Sequence, residues 1–415
     1  MGKHTMSDLY QMQSLPLKAK ITMTERRIQE WVEEYGEDGV YVSFSGGKDS
    51  TVLLDIARRL YPNIKAAFVD TGLEYPEIRQ FVKSFDNVDW LKPKMTFRQV
   101  IEKYGYPFIS KEVSECVDGA RKYLKILTDR QTDRQTDRHL IVTSMKELPE
   151  RECMLRTSRW GTTTNIESLE ALASILRQDL GKTQGSPYRV ARMLKILTKD
   201  NQIQTDIPSN NRSMWSQAKY SFFLDAPFDI SAKCCGAIKK DPLHKYFKQT
   251  NRKPITAQMA SESRLRTQKW LQNGCNGFDL KYPISNPMSF WTEQDILLYI
   301  WQRNLPIASV YGEVIKDYEA MGQLDGQMDM SELAAEFGVF DVGRPTLRTT
   351  GCNRTGCMFC GYGCHRESSP NRFERMKETH PKQYDYIMRP WEEGGLNYKE
   401  VIDWINEHGN MNIKY

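Results

Sequence analysis

The sequence predicts an α/β protein organised around a parallel sheet, and three observations carry that expectation. Between Gly39 and Leu91 short β-branched and aromatic runs alternate with helix-like segments. That order, strand-turn-helix-strand-helix-strand, is what right-handed crossovers build into a parallel sheet. Between Ser114 and Ser221 strand-like runs become few and helix-like segments take over, as expected of an insertion. Further on, Cys352, Cys357, Cys360 and Cys364 fall within thirteen residues and mark a separate cysteine-rich segment.

Taken in order, Lys18 to Tyr35 places Ile21, Met23, Ile28 and Trp31 among charges, an irregular amphipathic helix. Gly39 to Phe44 reads as a buried strand, followed by a glycine turn and a helix over Ser50 to Leu60. A second strand (Ile64 to Asp70), a second helix (Pro76 to Ser84) and a third strand (Val88 to Leu91) complete the first half. In the insertion, Glu167 to Leu180 and Tyr188 to Leu197 are helix-like, and Thr128 to Arg138 repeats a TDRQ unit, the composition of a solvated surface. Tyr220 to Leu224 reads as a strand, and a helix is expected after Cys234-Cys235. Trp291 to Asn304 is a strong helix, with Thr292 at its N-cap and Pro306 beyond its end. Gly338 to Leu347 leads into the cysteines, and Asn371 to Thr379 and Tyr398 to Glu407 are helix-like. The expected division is 1–113, the first part of the α/β domain; 114–219, the helical basic insertion; 220–310, its second part; and 311–415, the cysteine-rich and helical segment.

Composition excludes several classes. With 415 residues, 40% hydrophobic and 27% charged, the chain is long enough for two or three cores and is neither a disulfide miniprotein nor disordered throughout. It contains no run of about 18 apolar residues and no apolar leader, so a cytoplasmic protein without a membrane partner is expected. In a reducing compartment, nine cysteines point to metal ligation or redox chemistry rather than disulfides. The net charge of +5 is unevenly spread: residues 121–220 hold 18 basic and 11 acidic side chains, leaving the rest of the chain slightly acidic. That block, with Tyr123, Trp160, Tyr188 and Trp215, is a candidate surface for nucleic acid.

The sharpest motif is Ser45-Gly46-Gly47-Lys48-Asp49-Ser50, set between a strand and a helix. Glycines let backbone amides converge on phosphate oxygens, and the following helix offers unpaired N–H groups and its positive dipole end. Ser45 and Ser50 add hydroxyl donors and Lys48 adds charge, while Asp49 beside a phosphate implies an intervening Mg2+. The Walker spacing is absent. The second strand ends in Asp70-Thr71-Gly72, at the sheet edge where α/β proteins bind ligands, so Asp70 and Thr71 join the candidate nucleotide-binding residues.

The six-residue loop resembles the PP-loop of ATP pyrophosphatases, and Phe68 to Glu77 resembles the segment after the second strand of phosphoadenosine phosphosulfate (PAPS) reductases. Cys234-Cys235-Gly-Ala-Ile-Lys239-Lys240 is similar to the double-cysteine segment of iron-sulfur adenylyl-sulfate reductases, and Glu262-Ser263-Arg264-Leu265-Arg266 to their E-S-x-x-R element. Trp291 to Asp295, Asn304 to Pro306 and Gly356 to Cys360 follow in the family's order. The resemblance implies a Rossmann-like sheet of the adenine nucleotide alpha hydrolase type. It also implies ATP held by Ser45, Gly46, Gly47, Lys48, Asp49 and Ser50, and a 4Fe-4S cluster on Cys234, Cys235, Cys357 and Cys360. Lys48, Asp49, Arg264 and Arg266 are then the catalytic candidates, with both arginines facing charge at the α-phosphate and Glu262 orienting them.

Other ligand sets fit the cysteine pattern. Cys352, Cys357, Cys360 and Cys364 could hold Zn2+ or a cluster locally, with His365 a possible addition, and a set using Cys275 is also open. Cys116 and Cys153 read as incidental buried thiols. The chain departs from the reductases in two ways: it keeps the complete SGGKDS loop, and it lacks their E-C-G-[IL]-H tail. Both departures favour an ATP-dependent adenylating sulfurtransferase acting on a nucleic acid or nucleotide, supplied by a sulfur-donor protein, as in the ATP pyrophosphatase of DNA phosphorothioation systems. The alternatives are an adenylyl-sulfate or PAPS reductase using Cys364, and a nucleotide-binding regulatory subunit with little turnover.

Overall fold

A computed structural model describes residues 3–132, 169–180, 187–317 and 346–415, with side chains throughout except at 126–132 and 317. The chain forms two compact units, each assembled from two segments: residues 1–94 with 238–357, and residues 95–237 with 358–415.

The first unit is the α/β body. After helices α1 (Met6–Gln13) and α2 (Leu17–Tyr35) come β1 (Val40–Ser43), α3 (Lys48–Leu60), β2 (Ala66–Val69), α4 (Pro76–Lys83) and β3 (Val88–Leu91). The second segment adds α5 (Asp241–Thr250), β4 (Lys253–Ile255), α6 (Arg264–Asn273), β5 (Asn276–Gly277), β6 (Ile284–Ser285), α7 (Glu293–Arg303) and the hairpin strands β7 (Val314–Asp317) and β8 (Thr346–Thr349). The six-stranded sheet has the order β3-β2-β1-β4-β6-β5, parallel except where β5 runs against β6. Strand β1 is central. It pairs with β2 through Val42 and Ala66, and with β4 through Val40 and Lys253, so successive crossovers leave it in opposite directions. The crevice at its carboxyl end is therefore the topological switch point of the sheet.

Burial explains why these segments form. Val40, Val42, Ala66, Phe68 and Ile255 are fully or almost fully buried, as continuous apolar runs must be in a sheet covered on both faces. Against one face pack Ile28 and Trp31 of α2 and Val52, Leu53 and Ile56 of α3. Helix α7 starts on a capping box in which Thr292 and Asp295 satisfy each other's backbone amides. Asp295 also accepts a 2.6 Å hydrogen bond from buried Lys20 on α2, pinning the two helices together.

The second unit is mainly helical. Helix Lys111–Thr132 packs against Pro187–Met193, with Leu169–Asp179 alongside, burying Val117, Ala120, Tyr123, Leu172, Leu176 and Val190. Helices Arg372–Thr379, Pro381–Met388 and Tyr398–Gly409 complete it, and a two-stranded parallel pair joins Phe108–Ile109 to Gly361–Tyr362. The expected strand at Tyr220 to Leu224 is instead a 3-10 helix, Ala218–Asp225, with Phe222, Phe223 and Leu224 all buried. A short apolar run has the same hydropathy in a buried strand as in a buried helix, so the pattern could not separate them. Residues 133–138 of the TDRQ repeat, Cys153 and Trp160 lie outside the described residues.

Candidate nucleotide site and cysteine group

In the first unit the SGGKDS loop leaves β1 and enters α3, whose N-cap is Gly47. Gly46 has φ +71°, and a Cβ there would stand 2.7 Å from Val82 and 2.8 Å from Ile78, so only glycine fits. The two serines stabilise the turn: their hydroxyls are 3.0 Å apart, the Ser45 amide donates to Ser50 Oγ, and Ser50 Oγ donates to the Gly47 carbonyl. The amides of the first helical turn are thereby presented together at the positive end of α3.

Asp49 follows. Its Oδ1 is buried with no hydrogen-bond partner, and burial pushes its carboxyl pKa upward against the opposing charges of Lys48 and Arg354. A buried carboxylate oxygen without a donor is costly, and a divalent cation satisfies it directly. The residue therefore fits the Mg2+ expected from the sequence.

Lys48 turns elsewhere. Its side chain is 4% exposed, and Nζ donates to the Asn353 carbonyl at 2.6 Å and pairs with Glu293 at 2.9 Å. Its backbone amide donates to the Tyr311 hydroxyl, which also meets Thr355. The loop is thus fastened through Lys48 to the segment that follows β8.

Two cavities flank Ser45. The larger, about 470 Å3, has Asp49, Ser50, Glu262 and Arg266 among its polar lining, and His244, Phe247 and Tyr282 along its aromatic side. The smaller, about 160 Å3, lies at the ends of β1 and β2 against Phe44, Phe68, Val69, Glu74 and Ile78. Glu262 holds two guanidinium groups, those of Arg266 and of Arg354, the latter at 2.7 Å. Burial and the neighbouring Arg354 lower the Arg266 pKa, while Asp49 opposes the shift. Arg354 was missed in the sequence, where it sits between Cys352 and Cys357 and reads as part of the cysteine segment. Arg264 is exposed and does not line the cavity. Asp70 is held by Arg79 at 2.9 Å and Thr71 Oγ1 donates to Glu74 at 2.7 Å, so both brace the rim beside the smaller cavity.

The cysteine group belongs to the second unit. Cys234 and Cys364 are buried, and Cys235 and Cys360 are half-buried. Burial pushes the Cys360 thiol upward, and Cys235 adds to the shift. Fully buried Tyr398 is likewise raised by burial and then by Cys360, Cys234 and Cys364. Three of these thiols therefore act on one tyrosine, whose hydroxyl donates to the Phe359 carbonyl at 2.5 Å. Arg372 donates to the Cys360 carbonyl at 2.6 Å. Tyr362 pairs with Ile109, a buried β-branched residue at φ +66°, a conformation that persists only where surrounding contacts enforce it. Both His365 ring nitrogens are buried without partners, and burial lowers its pKa.

As donors these thiols suit iron or zinc, yet among the described residues no three His, Cys, Asp or Glu side chains are gathered at metal-holding distance. Cys357 is the last residue of the first unit's second segment, and Cys352 also belongs to that segment. Cys275 lies in the first unit's apolar core beside Trp270. Cys116 is buried, and desolvation raises its thiol to about 11.

Residues 39–139 and 182–361, more than half of the chain, match the phosphoadenosine phosphosulfate reductase domain. An uncharacterised protein of Methanocaldococcus jannaschii is 31% identical over 124 residues, which are 26% of this chain and 29% of that protein. The crystal structure of phosphoadenylyl-sulfate reductase from Candida auris, in a phosphate complex, aligns over 76% of this chain and 96% of its own at 12% identity, with a TM-score of 0.31. Among the described residues no helix is long and apolar enough to cross a membrane.

Proposed function

Because the chain belongs to the phosphoadenosine phosphosulfate reductase domain family and is a PP-loop nucleotide-binding protein, we propose that it cleaves ATP between the α and β phosphates to adenylate a nucleic acid or nucleotide for sulfur transfer. The observation that carries this reading is the intact loop at the switch point, with the unpartnered Asp49 Oδ1 beside a cavity that Arg266 also lines. In this reading the pyrophosphate lies against the amides of α3 and the hydroxyls of Ser45 and Ser50, with the adenine toward Phe68 and Val69. Asp49 holds Mg2+, and Arg266, oriented by Glu262, faces the α-phosphate with Arg354 as its neighbour. An acceptor oxygen forms a bond to the α-phosphorus, and the bond to the bridging oxygen breaks with its electron pair leaving on pyrophosphate. A sulfur nucleophile then displaces AMP. Preorganised cations facing charge that develops in the transition state supply the largest catalytic contribution.

The family resemblance assigns Cys234, Cys235, Cys357 and Cys360 to a 4Fe-4S cluster, with Zn2+ the competing occupant. The proximity of Cys234, Cys235 and Cys360, together with Cys364, supports a thiolate-held group in the second unit. When bound, a cluster would supply iron at which sulfur can be held. The reductase alternative needs a reactive Cys364, but that thiol is 1% exposed and burial raises its pKa to about 12, the opposite of nucleophile activation.

Pyrophosphate release from ATP, assayed with nucleotide and nucleic-acid acceptors, is expected for the anaerobically purified protein and should fall at least about 100-fold in Asp49→Asn, the scale of losing one stabilising contact. ATP binding without release in any acceptor fraction would overturn the enzymatic reading in favour of a nucleotide-sensing subunit. Sulfite formation from adenylyl sulfate or PAPS would favour the reductase. Iron, sulfide and zinc analysis of the same sample is expected to find iron and sulfide, and zinc alone would remove the cluster.

A further inference from the structure

The second unit carries a small pocket, apolar within and bordered by cations, outside its cysteine group. After helix Pro187–Met193 the chain turns at Lys195 and returns through the bridges Leu197–Ile203 and Thr198–Arg212. The turn encloses a cavity of about 110 Å3 lined by Arg192, Lys195, Arg212, Ser213 and Ser216. Arg192 Nε donates to the Trp215 carbonyl at 2.8 Å while its terminal nitrogen is paired with Glu112, and Arg212 Nε donates to the Ile207 carbonyl at 3.1 Å; the charges left for a ligand are those of Lys195 and Arg212. Residues 187–220 hold six Lys and Arg against two Asp.

Two further observations give the pocket a ligand chemistry. Among the described residues eight non-glycine positions have φ in the left-handed region; six are asparagine, the residue that tolerates it best, and the exceptions are Ile109 and Lys195 at φ +61°. The chain therefore keeps a lysine where asparagine would be cheaper, and that lysine lines the pocket. Next to Ser213, Met214 is 86% exposed and Trp215 is 52% exposed, with Tyr188 39% exposed on the helix that leads in. Cations alone would suit any anion. An indole left open beside these charges suits a phosphate attached to an accessible base, because every unpaired base offers a face for stacking.

We propose that Lys195 and Arg212 bind a backbone phosphate of a single-stranded nucleic acid while Trp215 stacks on an adjacent base, with Arg192, held by Glu112, bracing the Trp215 backbone. The inference rests on a nucleic acid being the acceptor and names the surface that would hold it. Duplex DNA, whose bases are stacked internally, should bind more weakly.

The test is fluorescence anisotropy of labelled single-stranded DNA and RNA, in separate arms, with the full-length protein, together with intrinsic tryptophan emission, the Trp215 share being the difference from Trp215→Ala. Binding should quench Trp215, weaken steeply with salt, and survive competition by polyglutamate. Trp215→Ala should lose about 5- to 150-fold in affinity, the value of one stacked base. Lys195→Asn removes charge while suiting the left-handed backbone, so it should fold normally and lower the salt slope by about one. Unchanged affinity in both variants, or equal displacement by polyglutamate, which would indicate an acidic protein partner, overturns the proposal. Pyrophosphate release with a mononucleotide acceptor is independent of this surface, so its persistence alongside failed oligonucleotide binding would sink this inference and leave the adenylation reading intact.

Discussion

Lys48 occupies the only basic position of the SGGKDS loop, yet its ammonium is spent on Asn353 and Glu293. Those contacts support a positioning role, holding the loop to the segment that carries Arg354, as the alternative to the catalytic role expected from the sequence. Removing the ammonium leaves the exposed Asn353 carbonyl and Glu293 carboxylate to water and costs about 0.5–1.5 kcal/mol, the net value of an ordinary hydrogen bond. Lys48→Met is therefore expected to lower the thermal midpoint by several degrees while changing the KM for ATP less than kcat for pyrophosphate release. A large rise in KM with an unchanged midpoint would instead put the ammonium on phosphate. The same residue shows where sequence reading stops. Ser45, Gly46, Gly47, Asp49 and Ser50 were legible as a phosphate loop because backbone geometry and hydroxyl chemistry are local. The partners of Lys48 lie 245 and 305 residues away, and no local pattern encodes them.

At the scale of elements, the crossover order of β1 to β3 and helix α7 were readable from periodicity, caps and turns. Helices Phe97–Tyr104, α6 and Pro381–Met388 were not: the first has a stripe of Phe97, Val100 and Ile101 and the third is partly apolar, but each spans only eight residues, and α6 mixes apolar and charged residues without a clean stripe. The tight turn after Cys364 is clamped by Glu367, whose carboxylate accepts from the Arg372 side chain and from its amide at 2.9 Å. Burial opposes ionisation of Glu367, but these bonds outweigh it and lower the pKa below its ordinary 4.5. A depressed carboxylate contributes stability above its unfolded pKa and loses it as pH falls through the folded one. Comparison of the chain with Glu367→Gln by thermal melts should show the difference full at neutral pH and closing below about 4.5. A difference that persists undiminished in acid would mean that packing, not charge, holds the turn.

For the whole molecule, the decisive fact is that both units are discontinuous. The larger cavity beside the loop draws Ser45 and Asp49 from the first segment and Glu262, Arg266 and Thr355 from the second. The sequence suggested a core interrupted by an insertion at 114–219; the described residues from Met95 to Ala237 form one compact unit with Met358–Tyr415. A polypeptide ending at residue 237 retains the complete PP-loop and is expected to bind no ATP by equilibrium dialysis, since β1 lacks β4 and the cavity lacks its arginine. ATP binding by that fragment would show that the loop needs neither.

The sheet order β3-β2-β1-β4-β6-β5 also bears on how the protein is made. When β1 leaves the ribosome its β2 side can close soon, but its other edge must wait for Lys253 to Ile255. At ordinary rates of synthesis that wait is roughly 10–40 s, during which an apolar central strand has an open edge. A nascent chain in that interval is the form most exposed to aggregation, and chaperone capture during synthesis should concentrate there.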